Sequence, residues 1–594
     1  MPTSAQRQPQ TPPTQRVLMT HWGDGARFFH LCHPQAQPGN ASVPSKRLQW
    51  HVVALCDHPL QPLCAPLQNW LGDQWWGVTE GFHRFDLGHT LLTLAVGDPL
   101  AQLQQCDAVF DLMDAQHIPL NKWWAKALAR VSRIGTVLSN STVDPNQHIH
   151  AELRSAGFVP EAQGWVYQPA WTPRRRQATT RAVDAPLSVA VVGAGLAGAS
   201  VAASLALRGH RVTVLDAAPQ PAQGASGLPA GLMAPLLSLD DNPRSQLLRA
   251  GLRLTHQTLM CLSRSSQLRP GKDHGLRIDT TQPGQGGLLQ IDASIGNPSS
   301  EAFQDWSQAH PQGVWHPRAT WVRAEALVRA WLATPGVSFV GQAVVHQLMP
   351  LYAQDKDQDQ GKDHWALLDA QGGELARAHR VVLANALGSL PLLQAIHGQW
   401  AAHAWLLTGV RGLITIGERP GTSHETYADN DKVVGEEAQS AGSNAPKLDM
   451  PAWPTHPING DGAFLPGVPT ASQWAFGATY ELTSAAGNAM DVQAHHQRNL
   501  DKFAALLPDL AANVINTPLT HWQGERAVST DRLPLLGPLD PAQNVWLCTG
   551  LGSRGLTLAA LCAEQLAAAW HQEPSPLPRD LARLLAVDRF FKTK

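Results

Sequence analysis

Two glycine-rich stretches carry the clearest chemistry in this chain. The first, SVAVVGAGLAG over residues 188–198, places Gly193, Gly195 and Gly198 in a G-x-G-x-x-G pattern. The apolar run Val189–Val192 precedes it. A stretch with helical character, Ala199–Leu207, follows and stops at Gly209, and a second run, Arg211–Leu215, ends at Asp216. The order predicts strand, tight turn, helix, strand and acid. Each part has a task in holding a dinucleotide. The first glycine makes the turn, the second lets a pyrophosphate approach the backbone, and the third lets helix and strand pack closely. The phosphates then lie at the positive end of the helix, and Asp216 accepts from a ribose hydroxyl. The pattern alone leaves FAD and NAD both open.

The next stretch, QGASGLPAGLMAPLLS over 223–238, has no charge and holds Gly224, Ser226 and Gly227. Backbone amides there could approach a flavin ring or a pyrophosphate, whereas a nicotinamide dehydrogenase more often enters another βα unit at once. The second glycine-rich region lies far downstream. GERAVSTDRLPLLG spans 524–537, an apolar run covers Val545–Thr549, and GLGSRGL covers 550–556 ahead of a predicted helix, Thr557–Trp570. Gly552, Ser553, Gly555 and Leu556 thus sit where a strand delivers a turn to a helix N-terminus, a geometry suited to an anion or cofactor. Arg526 and Arg554 flank these glycines, and either guanidinium could hold a carboxylate in bidentate fashion.

The elements that must position these groups belong to a long, balanced chain. It has 594 residues, 45 Lys+Arg against 47 Asp+Glu, a formal net charge of −2 and 43% hydrophobic residues. That composition excludes a wholly disordered or fibrous protein and a generally basic nucleic-acid coat, though not a local basic patch. The 7 cysteines include no C-x-x-C pair, which suits a reducing cytoplasm. The 26 histidines include no H-E-x-x-H, and no metal is expected. No apolar signal core and no membrane-spanning run is found, so a cytoplasmic location is expected. The chain divides into a disordered tail (1–15), a first block (16–167), a linker (168–186) with the run Arg174-Arg175-Arg176, and a second block (187–594). Within the second block, 352–364 reads as a polar hairpin tip and about 417–457 as a loop insertion.

Together, the 187–216 unit, Gly224-Ala-Ser-Gly227, Val410-Arg-Gly412, Gly477-Ala-Thr-Tyr480, the Gly524-x-Arg526 motif with Asp531, Pro534 and Gly537, and Leu551-Gly-Ser-Arg-Gly-Leu556 resemble the FAD-dependent half of the MnmC family of bifunctional tRNA-modifying proteins. The resemblance implies an α/β chain: a Rossmann-like methyltransferase-type domain, then an FAD-binding Rossmann domain of the D-amino-acid oxidase type with an α+β substrate domain. It implies FAD as cofactor and tRNA as partner. The implied reaction acts on the wobble uridine. A hydride leaves the CH2 between amine and carboxylate of a carboxymethylaminomethyl group, and the imine hydrolyses to a primary amine and glyoxylate. Arg526 and Arg554 match the family's carboxylate clamps. No residue stands out as a general base. Two other readings use the same residues: an oxidase of a free amino acid such as glycine or sarcosine, and a tRNA-binding protein without catalysis.

The first block resembles the family's methyltransferase half, shortened at its N-terminus and worn. Gly23 and Gly25 match the S-adenosylmethionine loop, but His21 replaces its first glycine. Cys56 aligns with the ribose-binding acid, and Asp57 follows one place on, where strand alternation turns it to the other face. Asp98 of the Gly97-Asp98 pair matches the family, while Phe110-Asp111-Leu112-Met113-Asp114 replaces its Asp-Gly-Phe. The candidate S-adenosylmethionine contacts are therefore Gly23, Gly25, Asp57 and Asp98. The competing reading is a vestigial domain kept for packing or tRNA docking. Its Trp22, Trp75, Trp76, Trp123 and Trp124 then stack on bases or fill core and interface.

Overall fold

The computed structural model describes residues 14–33, 50–57, 60–119, 121–139, 147–161, 164–172, 186–275, 286–291, 303–351, 364–396, 406–420, 453–483, 490–514, 517–540, 542 and 544–590. Residues 1–13 of the expected tail and the Arg174–Arg176 run lie outside these residues, as do most of the hairpin tip (352–363) and most of the insertion (421–452), whereas Gln15, expected in the tail, begins the first strand.

The first block builds one eight-stranded sheet. Its strands are β1 (Gln15–Met19), β2 (Trp50–Cys56), β3 (Gly81–Asp86), β4 (Thr90–Val96), β5 (Phe110–Asp114), β6 (Ser132–Ser139), β7 (Phe158–Glu161) and β8 (Gly164–Tyr167). Its helices are α1 (Ala26–Cys32), α2 (Ala65–Leu71), α3 (Pro99–Gln105), α4 (Lys122–Arg130) and α5 (Gln147–Ser155). β2 and β4 are near-continuous apolar runs because both faces of a parallel sheet are covered. The strand order β3-β4-β2-β1-β5-β6-β8-β7 reverses direction between β1 and β5. The crevice beyond their carboxyl ends is where such folds place ligands.

In the second block, β9 (Ser188–Val192), α6 (Leu196–Leu207) and β10 (Arg211–Leu215) form the expected unit, with β9 and β10 parallel from Ser188↔Arg211 to Val192↔Leu215. α6 starts three residues earlier than its sequence suggests. Its residues from Leu196 to Ala206 are all buried, because small side chains let other helices cover every face. It ends at Leu207 with Arg208 as its C-cap, and Gly209 follows at φ +90, the left-handed position that closes helices. A six-stranded sheet contains β9, β10 and the late strand Val545–Thr549. The helix α7 (Pro243–Arg264) crosses the late helix Gly555–His571 so closely that a Cβ on Gly251 would overlap the Thr557 carbonyl. A nine-stranded sheet forms the substrate side, with the long strands Leu407–Glu418 and Leu519–Ser529 paired antiparallel along their length. Gly417 and Glu418 belong to that strand, so the segment expected as a loop begins later than about 417.

The two blocks are bonded together. Trp306 packs against Gly77 and donates from Nε1 to its carbonyl at 3.1 Å, while the Gly77 N–H donates to Asp305 at 2.7 Å. Arg16 donates to the His571 carbonyl at 2.9 Å. Arg84, buried on β3, donates to the Pro574 carbonyl and approaches Glu564 at 3.5 Å. Trp22, Trp76 and Trp124 are buried, Trp75 is half-buried, and Trp123 is 57% exposed beneath Lys122 and Lys126. Trp76 is an interface residue, packed on Trp306 with ring centroids 4.8 Å apart. No helix among the described residues is long and apolar enough to cross a membrane.

Candidate active site

The glycine turn after β9 is shaped by contacts that side chains would block. Gly193 has φ +107, and a Cβ there would lie 2.7 Å from the Ala384 carbonyl oxygen. A Cβ on Gly198 would overlap the Gly193 carbonyl, so helix and turn touch through bare backbone. Asp216 braces the turn: its carboxylate accepts from Ala194 N–H at 2.6 Å and Ala218 N–H at 2.8 Å. Ser226 Oγ accepts from Leu196 N–H at 3.0 Å, at the first turn of α6. Gly224 opens a short 3-10 turn, Ala225–Gly227, and a Cβ on Gly227 would lie 2.6 Å from the Ala222 carbonyl oxygen.

The late glycine turn meets this one. A Cβ on Gly555 would lie 3.2 Å from Leu196 Cδ1, and Ser200 Oγ donates to the Ala559 carbonyl at 3.1 Å. Gly552–Arg554 is a 3-10 turn leading into the late helix, and Leu556 is buried against Gly231. Beside the junction lies a cavity of ≈ 150 Å³. Leu228, Ile414, Leu465, Phe476 and Trp522 make its walls apolar, and Arg526, Ser553 and Tyr480 add polar groups. Arg526 donates from Nη1 to Ser553 Oγ at 2.7 Å, and its guanidinium stands 4.6 Å from the centroid of the Tyr480 ring. On the neighbouring strand, Gly412 makes room for it, since a Cβ there would lie 2.7 Å from Arg526 Nη2. Tyr480 lines the cavity yet is 58% exposed, so its ring stands at the mouth.

Arg526 and Ser553 thus share the cavity. Arg554 is not among its lining residues. It is half-buried, and burial, then repulsion from Arg244, pulls its guanidinium below the usual arginine value, with Tyr480 opposing. Tyr480, Trp522 and Gly412 were not singled out as site residues from sequence. Trp522 and Gly524 share the face of Arg526 by strand alternation, which is the signal that was available. The cradle fits an FAD: bare backbone at the turn, an acid at the end of β10, and an apolar cavity beside both.

A model of FAD-dependent oxidoreductases matches residues 188–569. The chain is 36% identical to the tRNA 5-methylaminomethyl-2-thiouridine biosynthesis bifunctional protein MnmC of Albidiferax ferrireducens, over 97% of this chain and 92% of that one. The protein of that name from Delftia acidovorans is 36% identical over 97% and 91%. The chain belongs to the MnmC family. A solved glycine oxidase from Geobacillus kaustophilus aligns over 66% of this chain and 96% of that one, at 19% identity and TM-score 0.47.

The family's other cofactor, S-adenosylmethionine, would belong in the first block. Gly25 has φ +77 and begins α1, but a Cβ there would overlap Leu67 and Trp22, so this glycine serves packing. Gly23 has φ +59, and its open side faces the His21 ring at 3.4 Å. Cys56 is buried at the end of β2, and Asp57 beyond it is exposed. Asp98 Oδ1 caps α3, accepting from Ala101 N–H at 2.7 Å. No group of three or more His, Cys, Asp or Glu suited to a metal occurs among the described residues.

Proposed function

We propose that this chain removes the carboxymethyl group of 5-carboxymethylaminomethyl-(2-thio)uridine at the wobble position of tRNA, leaving the 5-aminomethyl form. The observation that carries the reading is Arg526, a guanidinium held by Ser553 in an otherwise apolar cavity beside the nucleotide turn. In this reading Gly193, Gly195 and Gly198 receive the pyrophosphate, Asp216 the ribose, and Gly224–Gly227 with Gly552–Leu556 the flavin end. When bound, the FAD supplies a two-electron acceptor for the hydride on the carbon between amine and carboxylate.

Arg526 pins the substrate carboxylate, which fixes the direction of the adjacent C–H bonds. Arg554, outside the cavity lining, would assist only as a positive charge on the Tyr480 side. The apolar walls disfavour the ammonium form, so the amine enters neutral and can share its lone pair with carbon as the hydride departs. The nitrogen then loses its proton, water adds to the C=N carbon, and cleavage of the C–N bond releases glyoxylate and the primary amine. Tyr480 at the mouth and the open side of the cavity face the rest of the nucleotide.

Anaerobic mixing of the flavoprotein with tRNA carrying the carboxymethylaminomethyl group should bleach the flavin's visible band and yield glyoxylate, with free glycine inert. Bleaching by glycine while the tRNA does nothing would replace this reading with that of an amino-acid oxidase.

A further inference from the structure

The strand order puts a ligand crevice at the carboxyl ends of β1 and β5, yet the residues there bond to one another. Thr20 N–H donates to the Asp114 carbonyl at 3.0 Å. Thr20 Oγ donates to the Gln116 carbonyl at 2.9 Å and accepts from Gln116 N–H at 2.8 Å. These bonds zip the loop after β1 to the loop after β5. Above them the His21 and His117 rings pack at 4.6 Å between centroids. Asp114 is held by Arg27 at 2.8 Å, Asp111 is paired with Arg133, and Asp98 is occupied as a helix cap.

A cofactor that binds across such a switch point needs bare backbone for its close approach and an acid for its ribose. Neither is offered. Gly25 is covered by Leu67 and Trp22, Gly23 by His21, and the strand-end position holds a buried Cys56 in place of a carboxylate. Burial, then the neighbouring His117, lowers the His21 pKa, with Asp57 opposing. S-adenosylmethionine does not fit these residues.

We infer that the N-terminal domain transfers no methyl group and that the chain releases its product as the unmethylated primary amine. The second half of this statement rests on the oxidase reading above. Any methylated nucleoside then requires a separate methyltransferase acting after this protein, one that passes a methyl from a sulfonium donor to the amine nitrogen as that nitrogen gives up a proton.

The test uses the full-length flavoprotein. It is titrated with S-adenosylmethionine by calorimetry, then incubated with carboxymethylaminomethyl-tRNA and the methyl-deuterated cofactor, followed by nucleoside mass spectrometry. We expect no binding tighter than about 1 mM, an aminomethyl product and no deuterium in it. Micromolar binding, or deuterated methyl on the uridine, would overturn the inference. Flavin bleaching is read in the same sample. A failure to bleach sinks the oxidase reading alone, and the titration still decides whether the first domain takes the cofactor.

Discussion

Removing Arg208 should damage the protein far more than removing Arg84, although both are buried arginines aimed at Glu564. Glu564 sits on the late helix. Burial alone would push its carboxyl up, but Arg208, with help from Arg84 and Ser204, holds it at about 2 against an ordinary 4.5. The difference is worth about 3 kcal/mol of stability at neutral pH. Because the folded value is the lower one, this contribution is complete above pH 4.5 and is lost as pH falls toward 2. Arg208 reaches Glu564 at 3.0 Å and Glu573 at 2.8 Å, and the two carboxylates raise it well above the usual arginine value despite burial. Arg84 responds the other way. Burial outweighs a carboxylate at 3.5 Å and pulls it down. The shorter contacts and the direction of both shifts make Arg208 the principal partner. Arg208→Met leaves two buried carboxylates poorly compensated and should cost about 3–5 kcal/mol. Arg84→Met orphans the Pro574 carbonyl, at about 1–3 kcal/mol, but relieves the desolvation of its own charge, so the net cost should fall near the lower figure. Urea unfolding followed by flavin release gives the comparison. Adding Glu564→Gln to Arg208→Met should recover part of the loss. If Arg84→Met proves as costly as Arg208→Met, the ranking by distance and desolvation is wrong.

Four further outcomes are expected. Gly198→Ala forces a methyl into the Gly193 carbonyl and should purify without flavin, read as the ratio of visible to ultraviolet absorbance; a fully yellow variant would refute the close-packing argument. Arg526→Met removes a charge-assisted contact worth about 1.5–3 kcal/mol, so kcat/KM for tRNA should fall roughly 10–100-fold, and a change below about threefold would remove Arg526 from the clamp. His83, His210 and His256 are pushed by burial to about 3, with smaller repulsion from neighbouring cations. Their folded values lie below the ordinary 6.5, so they stabilise fully above that pH and lose stability as pH falls toward 3. Thermal stability should therefore begin to fall just below pH 6.5, before the carboxylates titrate. Asp98→Ala loses the α3 cap and should cost about 1 kcal/mol by thermal melt, with no change in the calorimetric response to S-adenosylmethionine.

What could be read from sequence was what short-range pattern determines. The late strand Val545–Thr549 is where its apolar run ends, and β9 gains only Ser188 over the expected Val189–Val192. Within 223–238, the strand Gly231–Met233 was not legible, because it exists only by pairing with Thr320–Val322, far along the chain. Arg526 was singled out because it sits beside Gly524 in a stretch that resembles the family's G-x-R motif. The choice between Ser553 and Arg554 was not. In a 3-10 turn successive side chains point about 120° apart, and a sequence does not say which one meets the cavity. Nothing near Arg84 in the sequence announces Glu564, a contact between residues 480 positions apart.

The worn first block shows the same division with larger consequences. The replacement of a glycine by His21 and of an acid by Cys56 was visible, but each substitution alone leaves open whether a cofactor still enters. A missing glycine can be tolerated if the loop swings out, and Asp57 could serve if its loop bends. The bonds from Thr20 to Asp114 and Gln116 remove the first option, since they tie the loop after β1 to the loop after β5. The His21–His117 contact adds a packed ring pair beside those bonds. Two loops that share hydrogen bonds across a switch point thus weigh more against cofactor entry than the identity of any one residue.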